Sequence, residues 1–315
     1  MSCPICKYQS AGMVMQLHDD RYGYPGEFSL KRCGRCKHSY LDCELSSTQL
    51  TELYTNYYPR KSLNLESYKP HKEEKGFFAW YNGLNSSAFR WVPKNVRVLD
   101  IGCGFGESLG YHSDRGCEVY GVEADENIRR VIQRFGYKVH VGLFDADVYA
   151  EDFFDFITMD QVIEHVVDPC STLSGIARIL KSGGTVILST PNASGWGAKL
   201  FGKRWINWHS PYHTQFFTQQ SMELVALQAG LVLTKVKTIT NSEWLFYQWI
   251  HLVTYPKLGN SSWFWSPNKS TSTLYQKILV KLLTYLHLTK VNHLITRFFD
   301  ALGVGDNFVF ILKKP

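Results

Sequence analysis

The stretch VLDIGCGFGESL, residues 98–109, narrows the choice of fold more than any other part of the chain. An apolar run leads directly into three alternating glycines, Gly102, Gly104 and Gly106, and then into a segment of helix-forming residues. Glycines gathered at such a turn let the backbone enter left-handed conformations and approach a ligand closely. The same rhythm recurs downstream. A helix near 107–115 is followed by EVYGVEAD and a helix at 126–135, then KVHVG, then FDFITMD and a helix at 170–180, then TVILSTP, a strand at 231–239 and NFVFILKKP at 307–315. Strands alternating with helices predict an α/β fold with a doubly wound, mainly parallel sheet and ligands at the carboxyl ends of its strands. Asp100, Glu123, Gly142 and Asp160 then fall along one rim.

The turn reads D-x-G-x-G-x-G, whereas a nicotinamide-binding turn reads G-x-G-x-x-G. Here the third glycine comes one residue early and Asp100 stands two residues before the first. A carboxylate there repels a pyrophosphate and suits a cationic amino group. The pattern therefore predicts a ligand with an ammonium, a ribose and an adenine, and disfavours a dehydrogenase. Glu123, at the end of the second strand, is placed to accept both ribose hydroxyls. These motifs, with FDFITMDQVIEHVVDP, IARILKSGGTVILSTPN and SPYHTQFFTQQSMELVALQAGL after them, closely resemble the class I S-adenosylmethionine-dependent methyltransferases over about residues 90–240 and the last strand. The resemblance implies a Rossmann-like sheet and S-adenosyl-L-methionine as cofactor. It assigns Asp100, Gly102, Gly104 and Gly106 to the methionine part, Glu123 to the ribose, and Phe144 and Asp145 to the adenine.

Two CxxC pairs, Cys3/Cys6 and Cys33/Cys36, lie 26 residues apart and offer four soft ligands to a tetrahedral structural Zn2+. The intervening stretch has room for a hairpin around 22–26. About 40 residues with few large aliphatic side chains need such a metal to fold. Cys43, Cys103, Cys117 and Cys170 have no comparable spacing and read as small buried hydrophobes. Cysteine used this way, with no secretory signal and no apolar run of spanning length, predicts a cytoplasmic protein. The cysteine preface followed by residues 45–58 resembles the zinc ribbon of methyltransferases in bacterial polysaccharide and sugar-modifying pathways.

Methyl transfer from a sulfonium to oxygen or carbon needs an aligned acceptor and a base for its proton. His165, just past the fourth strand, and His213, in the loop after the fifth, are the candidates; His209 reads more as a surface or lid residue. Asp160 and Gln161 are expected to touch the cofactor or the base. Ubiquinone-pathway O-methyltransferases resembling this chain carry Glu-x-x-Glu-His after the same strand, associated with a divalent metal. This chain has Gln161 at the first acidic place, then Glu164 and His165, which puts a catalytic metal in doubt. Thr218 is a good N-cap for the next helix. Residues 196–208 read as a basic, aromatic loop over the site, with Lys203 and Arg204 either binding a substrate phosphate or simply solvated.

The segments thus divide into a zinc ribbon at 1–45, a helical linker or arm at 46–92, the cofactor-binding core at 93–243, an aromatic helical insertion at 244–304 and the last core strand at 305–315. The arm holds a helix at 45–58, an extended stretch at 59–75 and an amphipathic helix at 76–91. In the insertion, 276–299 reads as one helix. The net charge of +6 sits in the last quarter, where residues 244–315 carry 8 basic and 2 acidic side chains. Such a tail serves packing or a homodimer on one reading and peripheral contact through 244–299 with the inner face of a membrane on another. The leading function is methylation of a small-molecule acceptor, a hydroxyl of a sugar, nucleotide-sugar or lipid-linked glycan. The alternatives are a zinc-ribbon ribosomal RNA base methyltransferase and a non-catalytic cofactor-binding scaffold. The ribbon lacks a basic stripe, which speaks against nucleic acid.

Overall fold

A computed structural model of the protein describes residues 2–9, 11–43, 45–59, 65, 66, 68–266 and 272–315. The extended stretch expected at 59–75 therefore falls in part, at 60–64 and 67, outside the described residues. Eleven strands are present among the described residues: β1 (Ala11–Leu17), β2 (Phe28–Cys33), β3 (Ser39–Leu41), β4 (Arg97–Ile101), β5 (Glu118–Glu123), β6 (Lys138–Val141), β7 (Phe154–Asp160), β8 (Leu180–Pro191), β9 (Gln215–Phe216), β10 (Val232–Thr238) and β11 (Asn307–Lys313). The helices are α1 (Ser47–Glu52), α2 (Gly76–Asn82), α3 (Glu107–Ser113), α4 (Ile128–Phe135), α5 (Pro169–Ile179), α6 (Trp196–Phe201), α7 (Gln219–Gln228), α8 (Glu243–Thr254), α9 (Leu274–Leu288) and α10 (Val291–Ala301).

Seven strands form the central sheet in the order β10-β11-β8-β7-β4-β5-β6, and only β11 runs against its neighbours. This is the doubly wound, mainly parallel α/β sheet that the sequence pattern predicts. Its central strands are buried along most of their length, β8 without a break from Gly184 to Pro191. One face packs Leu99, Ile157, Met159 and Leu188 against Leu173 and Ile176 of α5 and Val225 of α7. The other packs Val98, Ile187 and Val309 against Ala88 and Val92 of the arm. Burying each of these side chains contributes roughly 1.5–3 kcal/mol. At the edge, β10 alternates and keeps Lys235 and Lys237 in its solvent-facing pattern, a device that discourages further strand pairing.

β1 and β2 form an antiparallel hairpin from Ala11↔Cys33 to Leu17↔Phe28, and β3 pairs with β2. The fourth strand of this small sheet is β9, from the middle of the core segment, with Ser39↔Phe216 and Tyr40↔Gln215 in register. The boundary expected at residue 45 thus divides elements that share one sheet. His38 seals the junction: its Nε2 faces Gln215 Oε1 at 2.9 Å, its Nδ1 faces Ser221 Oγ at 3.4 Å, and burial lowers its pKa to about 4.

Several helices differ from the sequence reading. Residues 76–91 hold α2 and two 3-10 turns, because Gly83 turns left-handed (φ 70°) where Thr240 O and the Arg297 guanidinium leave no room for a Cβ. Residues 276–299 are two helices, α9 and α10, broken where Lys290 takes a left-handed φ of 65°. Residues 196–208 are α6 and two 3-10 turns rather than a loop. α1 opens on a capping box of Ser46 and Gln49 and continues into a π-helical turn over 53–57. Cys103 is buried, whereas Cys43, Cys117 and Cys170 are only partly so. No helix among the described residues is long and apolar enough to cross a membrane.

Candidate active site

The glycine turn leaves β4 with Gly102, Gly104 and Gly106 all at positive φ (75°, 56° and 82°), and Gly106 caps α3. At Gly102 a Cβ would run into Val162. Glu123, at the end of β5, reaches across: its Oε2 accepts Gly104 N at 2.8 Å and its Oε1 accepts Asp125 N at 2.8 Å. Each carboxylate oxygen keeps a further lone pair, so two hydroxyls of a ribose fit where the backbone has already fixed the oxygens. Beside them opens a cavity of about 680 Å³ lined by Tyr54, Tyr58, Gly104, Phe105, Glu123 and Asp125. That volume suits a nucleoside with an amino-acid side arm.

Asp100 does not face this cavity. It is buried, with Oδ1 accepting Thr158 Oγ1 at 2.6 Å and Oδ2 accepting Ser108 Oγ, and burial lifts its pKa to about 6. Its carboxylate ties β4 to β7 and α3 and so anchors the turn, rather than pairing directly with an ammonium. Asp160 accepts Ala88 N at 3.1 Å and Ser189 Oγ, fastening the arm to the sheet. Gln161 adopts a left-handed φ of 56° and donates through Nε2 to Ser189 Oγ (3.1 Å) and Asn307 Oδ1 (2.8 Å). Both side chains, expected to touch the cofactor or the base, are bonded to strand ends and the arm. Phe144 packs on Gly175 of α5, and Asp145 caps the turn after β6 by accepting Asp147 N at 2.9 Å. Neither is among the residues lining the cavity.

A second group forms where the chain after β7 meets the loop before β9. Glu164, His165 and His213 bring their donor atoms within 4.8 Å of one another. His165 Nδ1 lies 2.9 Å from Tyr212 O and His213 Nδ1 lies 2.8 Å from Asn207 O. A carbonyl only accepts, so each Nδ1 carries the hydrogen and each Nε2 keeps its lone pair. Burial holds both rings neutral, lowering His165 to about 4 and His213 well below its ordinary value. Glu164 is fully buried; Oε2 accepts Thr190 Oγ1 at 3.0 Å, Oε1 has no partner, and burial raises the pKa to about 8. The group can take a proton from an acceptor, or hold an ion through three donors. Gln161 adds no fourth.

Tyrosines roof this group. Tyr212 packs edge-on or tilted against Tyr22 (5.5 Å between centroids), Tyr54 (5.8 Å) and Tyr58 (5.1 Å), and the last two also line the cofactor cavity. Asp19 sets Tyr22 in place by accepting the backbone N–H groups of Arg21, Tyr22 and Tyr24, each at 2.9 Å. His209, expected as a surface or lid residue, is not at the surface but buried in this wall, 5.0 Å from His213 between ring centroids. Its Nε2 and the Tyr212 hydroxyl lack partners in the structure. None of these tyrosines carries a spacing signal, except that Tyr54 and Tyr58 stand four apart on one helical face.

The N-terminal cysteines converge as their spacing predicts. Cys3 Sγ and Cys36 Sγ lie 3.5 Å apart, as do Cys6 Sγ and Cys33 Sγ, and all four sulfurs lie within 4.8 Å. Sulfurs around a tetrahedral ion with bonds of about 2.3 Å stand at such separations. The two knuckles repeat one backbone pattern, Lys7 N to Cys3 O (2.9 Å) and Lys37 N to Cys33 O (3.2 Å), with both lysines left-handed.

Residues 59–236 match the methyltransferase domain family. Among curated relatives named ubiquinone biosynthesis O-methyltransferase, the protein of Alkalilimnicola ehrlichii is 29% identical over 46% of this chain and 64% of its own length. That of Ruegeria sp. is 32% identical over 43% and 60%, and that of Thiobacillus denitrificans 29% identical over 50% and 75%. The chain thus spans less than two thirds of the first two. These relatives carry a ubiquinone name and lend no support to a polysaccharide pathway. Among solved structures, a phosphoethanolamine N-methyltransferase of Haemonchus contortus with S-adenosylhomocysteine aligns with a TM-score of 0.47 at 20% identity, covering 75% of this chain and 53% of that one. A SAM-dependent methyltransferase from Archaeoglobus fulgidus aligns with 0.43 at 18%, covering 72% and 88%.

Proposed function

This chain belongs to the methyltransferase domain family, and from that premise we propose that it transfers a methyl group from S-adenosylmethionine to a hydroxyl of a small-molecule acceptor, of the sugar, nucleotide-sugar or lipid-linked glycan class. The observation that carries the reading is the pair of neutral imidazoles, His165 and His213, 4.6 Å apart between ring centroids and each held through Nδ1, beside Tyr212, which packs on the Tyr54 and Tyr58 that line the Glu123 cavity.

When bound, the cofactor supplies an electrophilic methyl on a sulfonium. The glycine turn and Glu123 hold its amino-acid and ribose parts. His213 or His165 takes the acceptor proton at Nε2, with the opposite nitrogen donating to a backbone carbonyl throughout, which fixes the ring plane during transfer. Glu164 Oε1 binds a second acceptor hydroxyl. Tyrosine faces offer apolar surface to a ring and exclude water. We also assign Zn2+ to Cys3, Cys6, Cys33 and Cys36 as a closed structural site that supplies no catalytic step.

Methyl transfer from labelled S-adenosylmethionine, assayed against nucleotide-sugars, lipid-linked glycans and polyprenyl phenols, tests the reading. Label in a sugar hydroxyl, lost in His213→Ala, supports it. Label only in the phenols moves the acceptor to the ubiquinone-like class, and no cofactor binding by calorimetry removes the enzyme reading.

A further inference from the structure

The helices inserted before β11 present a surface that methyl transfer does not use. α9 has no buried residue along its 15 positions, although it is rich in Leu, Ile and Tyr. It rests on α8 with one side and turns Leu274, Ile278, Leu282 and Tyr285 outward, each 52–74% exposed. α10 continues the surface with Leu294, Phe298 and Leu302 at 60–62%, and α2, packed on α10, adds Phe77, Phe78 and Trp80 at 53–71%. Of the 28 large hydrophobic residues exposed among the described residues, 13 belong to these three helices or their ends, so this is a patch rather than scatter.

Charge decides what covers it. Lys277 and Lys281, one turn apart on α9, flank the apolar stripe and are exposed, and among the described residues neither has an ion-pair partner. The two acids of residues 244–315 both turn inward. Asp300 pairs with Arg297 at 2.7 Å and accepts Thr240 N, and Asp306 accepts Gly197 N at 2.8 Å. A second copy docking about a twofold axis would bring the lysines of this patch together, with exposed carboxylates at its edge only through Glu243 at the start of α8 and Glu73 and Glu74 before α2. An anionic lipid surface satisfies both features at once: acyl chains receive the apolar stripe and headgroups receive the lysines. A 15-residue helix is about 22 Å long, too short to span a bilayer but suited to lie in its interface. Trp80 and Tyr285 are residues of the kind that settle at headgroup level.

We infer that the outward faces of α2, α9 and α10 form a docking surface for anionic phospholipid bilayers. The surface is anchored next to the candidate active site. Gln248 of α8 accepts Ile206 N and donates to Arg204 O, both at 2.8 Å, and Phe299 of α10 stacks on Trp196 at 4.1 Å.

Flotation of the full chain with vesicles tests this, using phosphatidylcholine alone or equimolar phosphatidylcholine and phosphatidylglycerol. The chain is expected to float with the second and remain behind with the first. Lys277→Gln with Lys281→Gln should weaken binding roughly 30-fold, from about 1 kcal/mol per lysine near a charged surface. Ile278→Asp with Leu282→Asp should abolish it, while circular dichroism shows the fold intact. Equal binding to both vesicles, binding to neither, full affinity in the lysine pair, or a dimer in sedimentation velocity that Leu282→Asp dissolves would each overturn the inference.

Discussion

The two halves of the candidate site are built in opposite ways. The cofactor half comes mainly from residues 100–125, one turn, one strand end and a carboxylate that bonds the backbone beside it, with Tyr54 and Tyr58 of the arm lining its cavity. The acceptor half draws Tyr22 from the hairpin loop, Tyr54 and Tyr58 from the arm, Glu164 and His165 from beyond β7, and His209, Tyr212 and His213 from the loop before β9. A half made mostly of near neighbours in sequence depends on few other elements for its geometry. A half made of distant pieces is free to change its ligand when any piece changes.

The largest effect should come from removing what holds the distant pieces together. Cys33→Ser is expected to strip the zinc, read as metal content per chain, and to unfold β1–β3, since structural thiolate sites contribute on the order of 10 kcal/mol to folding. If the halves are as separable as their construction implies, S-adenosylhomocysteine still binds within a few-fold while acceptor turnover is lost. Loss of both would break the comparison. Next, His213→Ala should lower kcat by about 10²–10⁴-fold with cofactor affinity unchanged. Its mirror image is Glu123→Ala. Loss of two hydrogen bonds to a charged group, each worth about 1.5–3 kcal/mol, should weaken S-adenosylhomocysteine at least about 10²-fold in calorimetry.

Titration sharpens the contrast. Burial lifts Glu164 from 4.5 to about 8, so the folded chain keeps a proton that the unfolded chain gives up. That contribution to stability is complete below pH 4.5 and is lost as pH rises through 8. His38 and His165, lowered from 6.5 to about 4, act in reverse: the unfolded chain takes protons that the folded chain refuses, and stability is lost as pH falls from 6.5 to 4. Thermal melts should show both declines, and Glu164→Gln should flatten the alkaline one alone. The smallest effect is reserved for Tyr212→Phe. Its hydroxyl has no protein partner, so stability should hold while acceptor KM rises a few-fold, about 1 kcal/mol for one hydrogen bond.

The same division explains what could be read from the sequence. The parallel sheet, the glycine turn, Glu123 and the converging cysteines follow from periodicity and short spacings, and the structure places each where those imply. Asp160 and Gln161 show the limit. A strand end fixes where a backbone emerges, but the left-handed φ at Gln161 turns its amide toward β8 and β11, and Asp160 is taken by Ala88 and Ser189. Asp100 is likewise taken up within the fold, buried with Ser108 and Thr158 donating to its two oxygens. His165 and His213 could be named from position alone; Tyr22, His209 and Tyr212 acquire their meaning only through contacts spanning some 190 residues. The break at Lys290 and the stop at Gly83 depend on tertiary neighbours that no local pattern reveals.

The pairing of β3 with β9 also dictates an order of assembly. Both cysteine knuckles are complete once residue 36 has been made, so a nascent chain can gather its ion early. The strand that completes their sheet arrives some 175 residues later, after all five parallel-paired strands of the large sheet. Contacts of such separation close late, because the intervening chain must first be ordered. The loop bearing His213 lies directly against that final pair, with Thr214 bonded to both Leu41 and Glu164. Competence to act on an acceptor is thus among the last things this chain acquires as it is made, well after its two cysteine knuckles.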